Sequence, residues 1–284
     1  MIEQPTDIIW HIMGEEVGMA QGLPTDFIDT DKRAKAKVDH QGWKMAFTQN
    51  KTINSKKLIE GIAKESKLFP FVKGNVLSFN SIQDTYTEAD YEAGYIYDIH
   101  DKDVISSSFS RTKPEDVRTA VYVHYDFDYA TEEYKRSTKS DEHPDTAKDL
   151  FATNDVEYSN SYHGIPDDEE QGDDPVEANY IRNENTAHLL QRFLLLWYCN
   201  QHNLAKLRLP LSYIKSEVGD IVTFPNLING RKAYGEDYSY VYRKTVAPTF
   251  RNGQEILPFW MITSTSKTLE YVDIELIQLH SLAN

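Results

Sequence analysis

The sequence predicts helices in four stretches of the chain, which are residues 5–16, 32–41, 55–66 and 183–201. Apolar residues recur at helical spacing in all of them except 32–41, which is predicted from its capping residues and from Gly42 at its end. Such spacing is typical of helices that bury one face. Thr6 is a candidate N-cap for the first helix, and the segment of Asp29, Thr30 and Asp31 can cap the second helix. The fourth stretch, NENTAHLLQRFLLLWYCNQ, is apolar over most of its circumference. The sequence therefore predicts that this long helix is nearly enclosed.

Alternating apolar and polar positions predict strands elsewhere, at 43–48, 117–129, 204–214, 221–224, 238–246, 257–267 and 269–279. Two further apolar runs flank Lys73, Gly74 and Asn75, which predicts a β-hairpin within 68–82. The five strands that follow the long helix favour a small barrel or a sandwich. We therefore expect an α+β protein whose β-rich sheets are packed by a few helices.

Negative charge is concentrated in one segment of the chain. Residues 141–177 contain 13 acidic residues and one base, Lys148, a net charge of −12 out of −15 for the whole chain. The pattern of apolar residues is also lost there. We expect an N-terminal α+β module at 1–135, an acidic loop or insertion at 136–182, and a helix with a barrel-like module at 183–284. The overall negative charge argues against sequence-specific binding of duplex nucleic acid.

The candidate chemistry with the best spacing is His124 and Asp126, because alternate residues of a strand point to one face. Such a pair can begin a two-histidine, one-carboxylate iron site. His100, His188 or His202 would have to supply the second histidine. The same alternation also predicts ordinary polar residues on the solvent side of a half-buried strand, and we favour that interpretation.

Clustered carboxylates in the acidic segment are weak candidates for a Ca²⁺ or Mg²⁺ site, namely Asp167, Asp168, Glu170 and Asp173. Their spacing does not match an EF-hand loop. We therefore favour the interpretation that these residues are a run of solvent-exposed charges. Cys199 lies in the apolar helix, which favours a buried structural thiol. The sequence contains no P-loop, GxGxxG, GxSxG or HExxH motif, and no run of about 18 apolar residues. We expect no catalytic residues, no cofactor and no membrane-spanning segment.

Three stretches resemble the central hub proteins of long-tailed bacteriophages, which include the lambda-type tail tip attachment protein and its baseplate-hub relatives. The first is 5–82, with PTDIIWHIM, a helix start at Ile28 and Asp29, the LIEGI helix and the hairpin. The second is VISSSFSRTKPEDVRTAVYVHYDFDY at 104–129. The third pairs the helix at 183–201 with LRLPLSYIKSEVGDIVTF, whose Gly219, Asp220 and Val222 match a turn that opens a barrel strand.

This resemblance implies a virion structural protein at the distal end of a tail, assembled in the host cytoplasm. It implies a ring, expected to be a trimer, that contacts the distal tail protein or tail tube on one side and tip or fibre proteins on the other. Viral DNA would pass through without specific binding. Hub proteins usually begin with further strands, so we expect either that another tip polypeptide supplies them or that the fold is reduced in this chain. The alternatives are a non-haem metal enzyme using His124 and Asp126, and a tail-associated cell-wall hydrolase.

Overall fold

The computed structural model of the protein describes residues 2–16, 27–48, 53–73, 75–113, 116–117, 121–138, 175–245, 248–251 and 254–283. The chain forms two compact units, each assembled from stretches that are separate in sequence. Unit 1 comprises Met1–Ile82, Ala120–Pro144 and Pro166–Leu195, and unit 2 comprises Gln83–Thr119, Asp145–Ile165 and Leu196–Asn284. Helices and several small sheets occur together, which confirms the α+β class. The three modules expected along the sequence stay a prediction.

Unit 1 contains the first three helices, two small sheets and most of the long helix. Its helices are Pro5–His11 (α1), which continues as a π turn over Ile12–Glu16, Thr30–Asp39 (α2) and Ser55–Lys64 (α3). Its strands are Leu68–Lys73 (β1), Val76–Ser81 (β2), Val123–Asp128 (β5), Glu133–Ser137 (β6) and Val176–Glu177 (β7). β1 and β2 form the predicted antiparallel hairpin, and the other sheet has the order β6-β5-β7.

Side-chain caps explain where two of these helices begin. The carboxylate of Asp29 accepts a hydrogen bond from the backbone N–H of Lys32 at 3.0 Å, and the Asn54 side chain accepts one from Lys56 at 2.9 Å. Both caps satisfy donors that the first turn of a helix leaves free. The expected cap at Thr6 is wrong, because Thr6 lies buried inside α1 and Gln4 occupies the N-cap position.

Residues 43–48 are not a strand of any described sheet, contrary to the prediction. Met45 donates its backbone N–H to Glu3 at 2.8 Å, and the neighbouring Ala46 donates to Tyr180 at 2.9 Å. The alternating pattern reflects true burial, since Trp43 and Met45 are buried. This extended stretch bonds to two different segments, so it forms no ladder with either.

Unit 2 is built on one large sheet, and the last residues of the long helix Glu184–Tyr198 (α5) belong to it. Its other helices are Glu88–Glu92 (α4) and Tyr240–Thr245 (α6). Its strands are Ile96–Asp98 (β3), Ser106–Arg111 (β4), Asn203–Pro210 (β8), Ile221–Thr223 (β9), Thr249–Arg251 (β10), Gln254–Lys267 (β11) and Tyr271–His280 (β12).

The sheet of unit 2 has seven strands in the order β3-β9-β11-β12-β8-β4, with β10 paired to one end of β11. β11 and β12 form the hairpin that the sequence predicted. Over the described residues the sheet does not close on itself, so the expected barrel is corrected to an open sheet. The predicted strand at 238–246 is also wrong, because its centre forms α6.

A buried tryptophan lies at the centre of the unit 2 core. Trp260 has no exposed surface, and its ring packs edge-on against Phe224 at 5.6 Å, Tyr238 at 5.7 Å and Phe109 at 6.3 Å between ring centroids. Such edge-to-face pairs stabilise a core beyond their buried area. The cluster joins β4 to β9 and β11, which are not its neighbours in the sheet. Among the described residues, no helix has the length and apolar character needed to cross a membrane.

Replacement of this tryptophan tests whether the aromatic cluster holds unit 2 together. Trp260→Ala should lower the free energy of unfolding by about 3–5 kcal/mol, because it removes the largest buried ring and leaves a cavity. Trp260→Phe should cost clearly less, since it keeps an aromatic ring and removes an indole N–H that has no hydrogen-bond partner in the described structure. Urea unfolding followed by circular dichroism measures both variants. Equal losses would contradict this role.

Candidate functional site

The two residues of the predicted His124 and Asp126 pair have different neighbours in the structure. Asp126 has a positive φ of 60°, a backbone conformation that interrupts the regular alternation of β5. Its carboxylate lies 3.7 Å from Arg136 and 3.9 Å from Arg182. The ring of His124 instead lies 6.0 Å from that of Tyr134. Asp126 is therefore engaged by two arginines, which compete with any metal for its oxygens.

The other predicted metal candidates fall outside the described residues. Asp167, Asp168, Glu170 and Asp173 all lie in the stretch 139–174. In the described part of the chain, no group of three histidine, cysteine, aspartate or glutamate side chains is arranged to hold a metal ion. His202, one of the three possible second histidines, belongs to unit 2, whereas His124 belongs to unit 1.

Unit 1 contains a buried carboxylate that the sequence analysis did not identify. Glu65 follows α3, and its two oxygens accept the backbone N–H groups of Asn179 and Tyr180, each at 2.9 Å. The Oη of Tyr134 donates to the Asn179 side chain at 2.9 Å. Burial raises the pKa of Glu65 to about 7, although the two backbone donors act in the opposite direction. This contact fixes the segment that re-enters unit 1 after the acidic stretch.

A second polar cluster joins β4 to its neighbours at one end of the unit 2 sheet. The Nη2 of Arg251 lies 2.7 Å and 2.6 Å from the two carboxylate oxygens of Glu236, and Arg111 contacts the same group at 3.3 Å. Asn203 donates to Glu236 at 3.1 Å and accepts from the Nε of Arg111 at 2.7 Å. Burial opposes the charge of Glu236, but its arginine and asparagine partners hold its pKa below the ordinary value.

The Glu236 cluster is suited to holding chain segments in place. A carboxylate with a lowered pKa that is shared by two guanidinium groups is a poor proton acceptor at neutral pH. Its bonds connect four parts of unit 2, namely the end of β4, the start of β8, the end of β10 and the loop that contains Glu236. The Arg111 guanidinium also stacks on the ring of Tyr234, 4.3 Å from its centroid.

Two buried histidines lie beside this cluster. The rings of His202 and His280 stack 4.3 Å apart. His202 places its nitrogens 2.8 Å and 2.7 Å from the backbone oxygens of Gln278 and Trp197. Burial lowers the pKa of His202, and burial together with the neighbouring His202 holds the pKa of His280 well below its usual value. Both rings are therefore neutral at physiological pH.

The buried cysteine agrees with the structural role predicted for it. Cys199 is fully buried, and its thiol lies 3.4 Å from the side-chain oxygen of Gln254. Burial raises the pKa of this thiol to about 12. A thiol in this environment is protonated at neutral pH and is a poor nucleophile.

Strand β4 is the feature most suited to contact with another molecule. Strand edges expose unpaired backbone groups, and proteins usually protect them with short length, proline or charge. Elsewhere in the described residues most edges carry these protections: β3, β7 and β10 have three, two and three residues, β1 contains Pro70 and ends in Lys73, and β6 contains Glu133, Lys135 and Arg136. β2 has six residues without proline or charge, but its outer edge is bridged at Leu77 by the segment that contains Ile28 and Asp29. β4 has six residues, no proline, and one charge at its last position.

The register shows which backbone groups of β4 point away from the sheet. β4 pairs with β8 antiparallel, and Thr112 donates its N–H to His202 at 3.0 Å. In such a ladder, residues alternate between facing the partner strand and facing away. The peptide groups of Ser106, Ser108 and Ser110 therefore face β8. Those of Ser107, Phe109 and Arg111 face outward, where no backbone partner occurs among the described residues.

The sequence could indicate β4 only in part. The run of serines without lysine or proline is a visible sign of an unprotected strand, but its position at the edge of the sheet depends on long-range pairing. The Glu236 cluster had no sequence signal, because its members come from four distant segments.

Comparison with known proteins gives a structural likeness and no sequence match. No protein-family model matches the chain, and no curated protein sequence matches it. The chain is similar to one from the virion of a native gene transfer agent (GTA) particle, with a TM-score of 0.44 and 12% sequence identity. The alignment covers 86% of this chain and 44% of that chain, so the present chain spans less than half the length of the protein it matches.

The pH dependence of stability tests the environment of Glu65. Its carboxyl group should release its proton near pH 4.5 in the unfolded chain and near pH 7 in the folded protein. Between these values the folded state binds more protons, so stability falls as the pH rises, by an amount on the order of 3 kcal/mol. Urea unfolding at pH 5 and pH 8 should show this fall in the natural protein.

Glu65→Gln should reduce that pH dependence, because the amide does not titrate. Glu60→Gln is a matched control, since Glu60 lies on α3, the helix that precedes Glu65, and its side chain is 61% exposed. It should leave the slope between pH 5 and pH 8 unchanged. An unaltered slope in the Glu65 variant would show that this carboxyl group titrates normally.

Proposed function

We propose that this chain is a structural virion protein that forms the central hub at the distal end of a bacteriophage tail. In this proposal it is an assembly protein without a catalytic centre. It connects the distal tail protein or tail tube to tip or fibre proteins, and it surrounds part of the path by which DNA leaves. The protein acts by burying its surfaces against neighbouring polypeptides.

The observation that carries the proposal is the unprotected edge of β4. Its outward-facing peptide groups can continue the sheet into another polypeptide, which is a common means of protein recognition. The Glu236 cluster holds Arg111 at the end of this strand, and Phe109 fixes its inner face against Tyr238 at 5.2 Å. A rigid edge binds a neighbour with little loss of conformational freedom, which favours assembly.

The sequence resemblance supports the place of assembly. The stretches at 5–82, 104–129 and 183–224 follow the order of elements in tail hub proteins, and β4 lies within the second of them. The net charge of −15 suits a wall that DNA passes, because a negative surface repels phosphate and keeps it from adhering. The contacts expected with a tail tube, fibres or a second tip polypeptide form part of this proposal.

Location in purified particles tests the proposal. Antibodies raised against the purified chain should label the tail end of intact phage particles in immunogold electron microscopy, while antibodies against the capsid label the heads. Deletion of the gene should give particles that lack a complete tail tip and do not infect. Absence of the chain from purified particles, or label confined to the heads, would contradict the proposed role.

A further inference from the structure

The two edges of the unit 2 sheet have opposite charge. Residues 104–113, which contain β4 and are called here the basic edge, include Arg111 and Lys113 and no acid. Residues 84–101, which contain α4 and β3 and are called here the acidic rim, include no lysine or arginine. Their six acids are Asp84, Glu88, Asp90, Glu92, Asp98 and Asp101. Since β3 and β4 end the same sheet, every copy of the chain carries both surfaces.

The acidic rim is a built surface in which α4 is fixed against β3. Tyr91 donates its hydroxyl to the carboxylate of Asp98 at 3.0 Å, and Tyr95 donates its backbone N–H to Asp90 at 3.1 Å. Glu88 and Glu92 are exposed on this helix, although Lys244 forms an ion pair with Glu88, and Tyr95 is 45% exposed. The rim therefore offers carboxylates around a partly exposed aromatic ring.

The basic edge offers the complementary features. Arg111, Arg251 and Glu236 together carry one net positive charge. The exposed Lys113 adds a second, and the carboxylate of Asp116, which accepts the backbone N–H of Lys113 at 3.2 Å, partly offsets it. Ile105, at the start of β4, is an apolar side chain that is 61% exposed. Outward-facing backbone groups lie between these two ends of the strand. Each surface thus combines a net charge of one sign with one large exposed apolar side chain.

We propose that the basic edge of one copy of this chain binds the acidic rim of a second copy. This inference rests on the proposed role in assembly and names the surfaces by which copies meet. The contact is heterologous, because the two copies use different surfaces, and such contacts produce a ring when the rotation closes. Two basic edges facing each other would place Arg111 and Lys113 of both copies together without the rim carboxylates, so charge disfavours a symmetric pairing through β4.

A charge exchange on the full-length chain tests this contact by sedimentation equilibrium over a range of protein concentrations. The natural chain should associate, and Lys113→Glu or Glu92→Lys should each weaken association by about tenfold, because each places like charges at the contact. The double variant should regain most of the lost affinity. Lys56→Glu is a matched control, because Lys56 lies on α3 of unit 1, outside both surfaces, and its side chain is 82% exposed. It should leave association unchanged.

A backbone substitution tests the part played by β4 itself. Ser107→Pro removes an N–H that faces away from β8, so the strand can keep its place in the sheet while its outer edge is blocked. This variant should fold and associate less tightly, whereas Ser107→Ala should associate normally. Circular dichroism and the unfolding midpoint confirm that each variant is folded.

Several results would overturn the inference. These are a natural chain that stays monomeric at all concentrations, a Glu92→Lys variant that associates normally, or a double variant without recovery. If Lys113→Glu strongly weakens association and Glu92→Lys does not, β4 binds another surface or another protein. Particle labelling separates the two proposals. If the chain is found at the tail tip but the double variant does not regain its affinity, only the proposed contact between copies is contradicted. If the double variant regains its affinity but the chain is absent from particles, only the proposed role as a tail hub is contradicted.

Discussion

The outward-facing peptide groups of β4 are the constraint on which the account of this protein depends. Backbone N–H and C=O groups that leave water must find partners, and a strand that ends a sheet presents a row of them. Ser107, Phe109 and Arg111 carry such groups, and no described backbone segment pairs with them. The strand is held from its inner side by β8 and from the core by Trp260 and Tyr238. Its outer edge is thus fixed in place and available.

Ionisable groups that are buried or half-buried hold segments together in both units. Glu65 binds the returning chain in unit 1, and Glu236 joins β4, β8 and β10 in unit 2. His202 and His280 are stacked and neutral within the core. Each of these groups has its hydrogen-bonding capacity directed largely at the backbone or at neighbouring side chains. This arrangement suits a protein that must keep a defined surface while other chains bind to it.

The parts of the fold that depend on local patterns were predictable from the sequence. The helices near 5–16, 30–39, 55–64 and 184–198 and the hairpin of β11 and β12 lie where the local sequence pattern placed them, although the first helix begins before its expected cap. The failures concern segments whose partners are remote. Residues 43–48 alternate like a strand yet bond to Glu3 and Tyr180, and 238–246 contains aromatic and β-branched residues yet forms α6. Tertiary contacts decide such cases, because β propensity depends on context.

The candidate site was less predictable for the same reason. A His-x-Asp pair on a strand predicts that the two side chains point to the same face. The positive φ of Asp126 and its two arginine partners could not be inferred from that spacing. The serine-rich sequence of β4 was visible, whereas its position at the edge of the sheet required knowledge of all seven strands. The opposite charges of the basic edge and acidic rim become meaningful only once the two strands are known to end one sheet.

Amide hydrogen exchange of β4 tests the central claim most directly. In the isolated chain, the amides of Ser108 and Ser110 face β8 and should exchange slowly, while those of Ser107, Phe109 and Arg111 should exchange quickly. In the assembled state, the three outward-facing amides should become protected without a change in their neighbours. Equal exchange of Ser107, Phe109 and Arg111 before and after assembly would contradict the account.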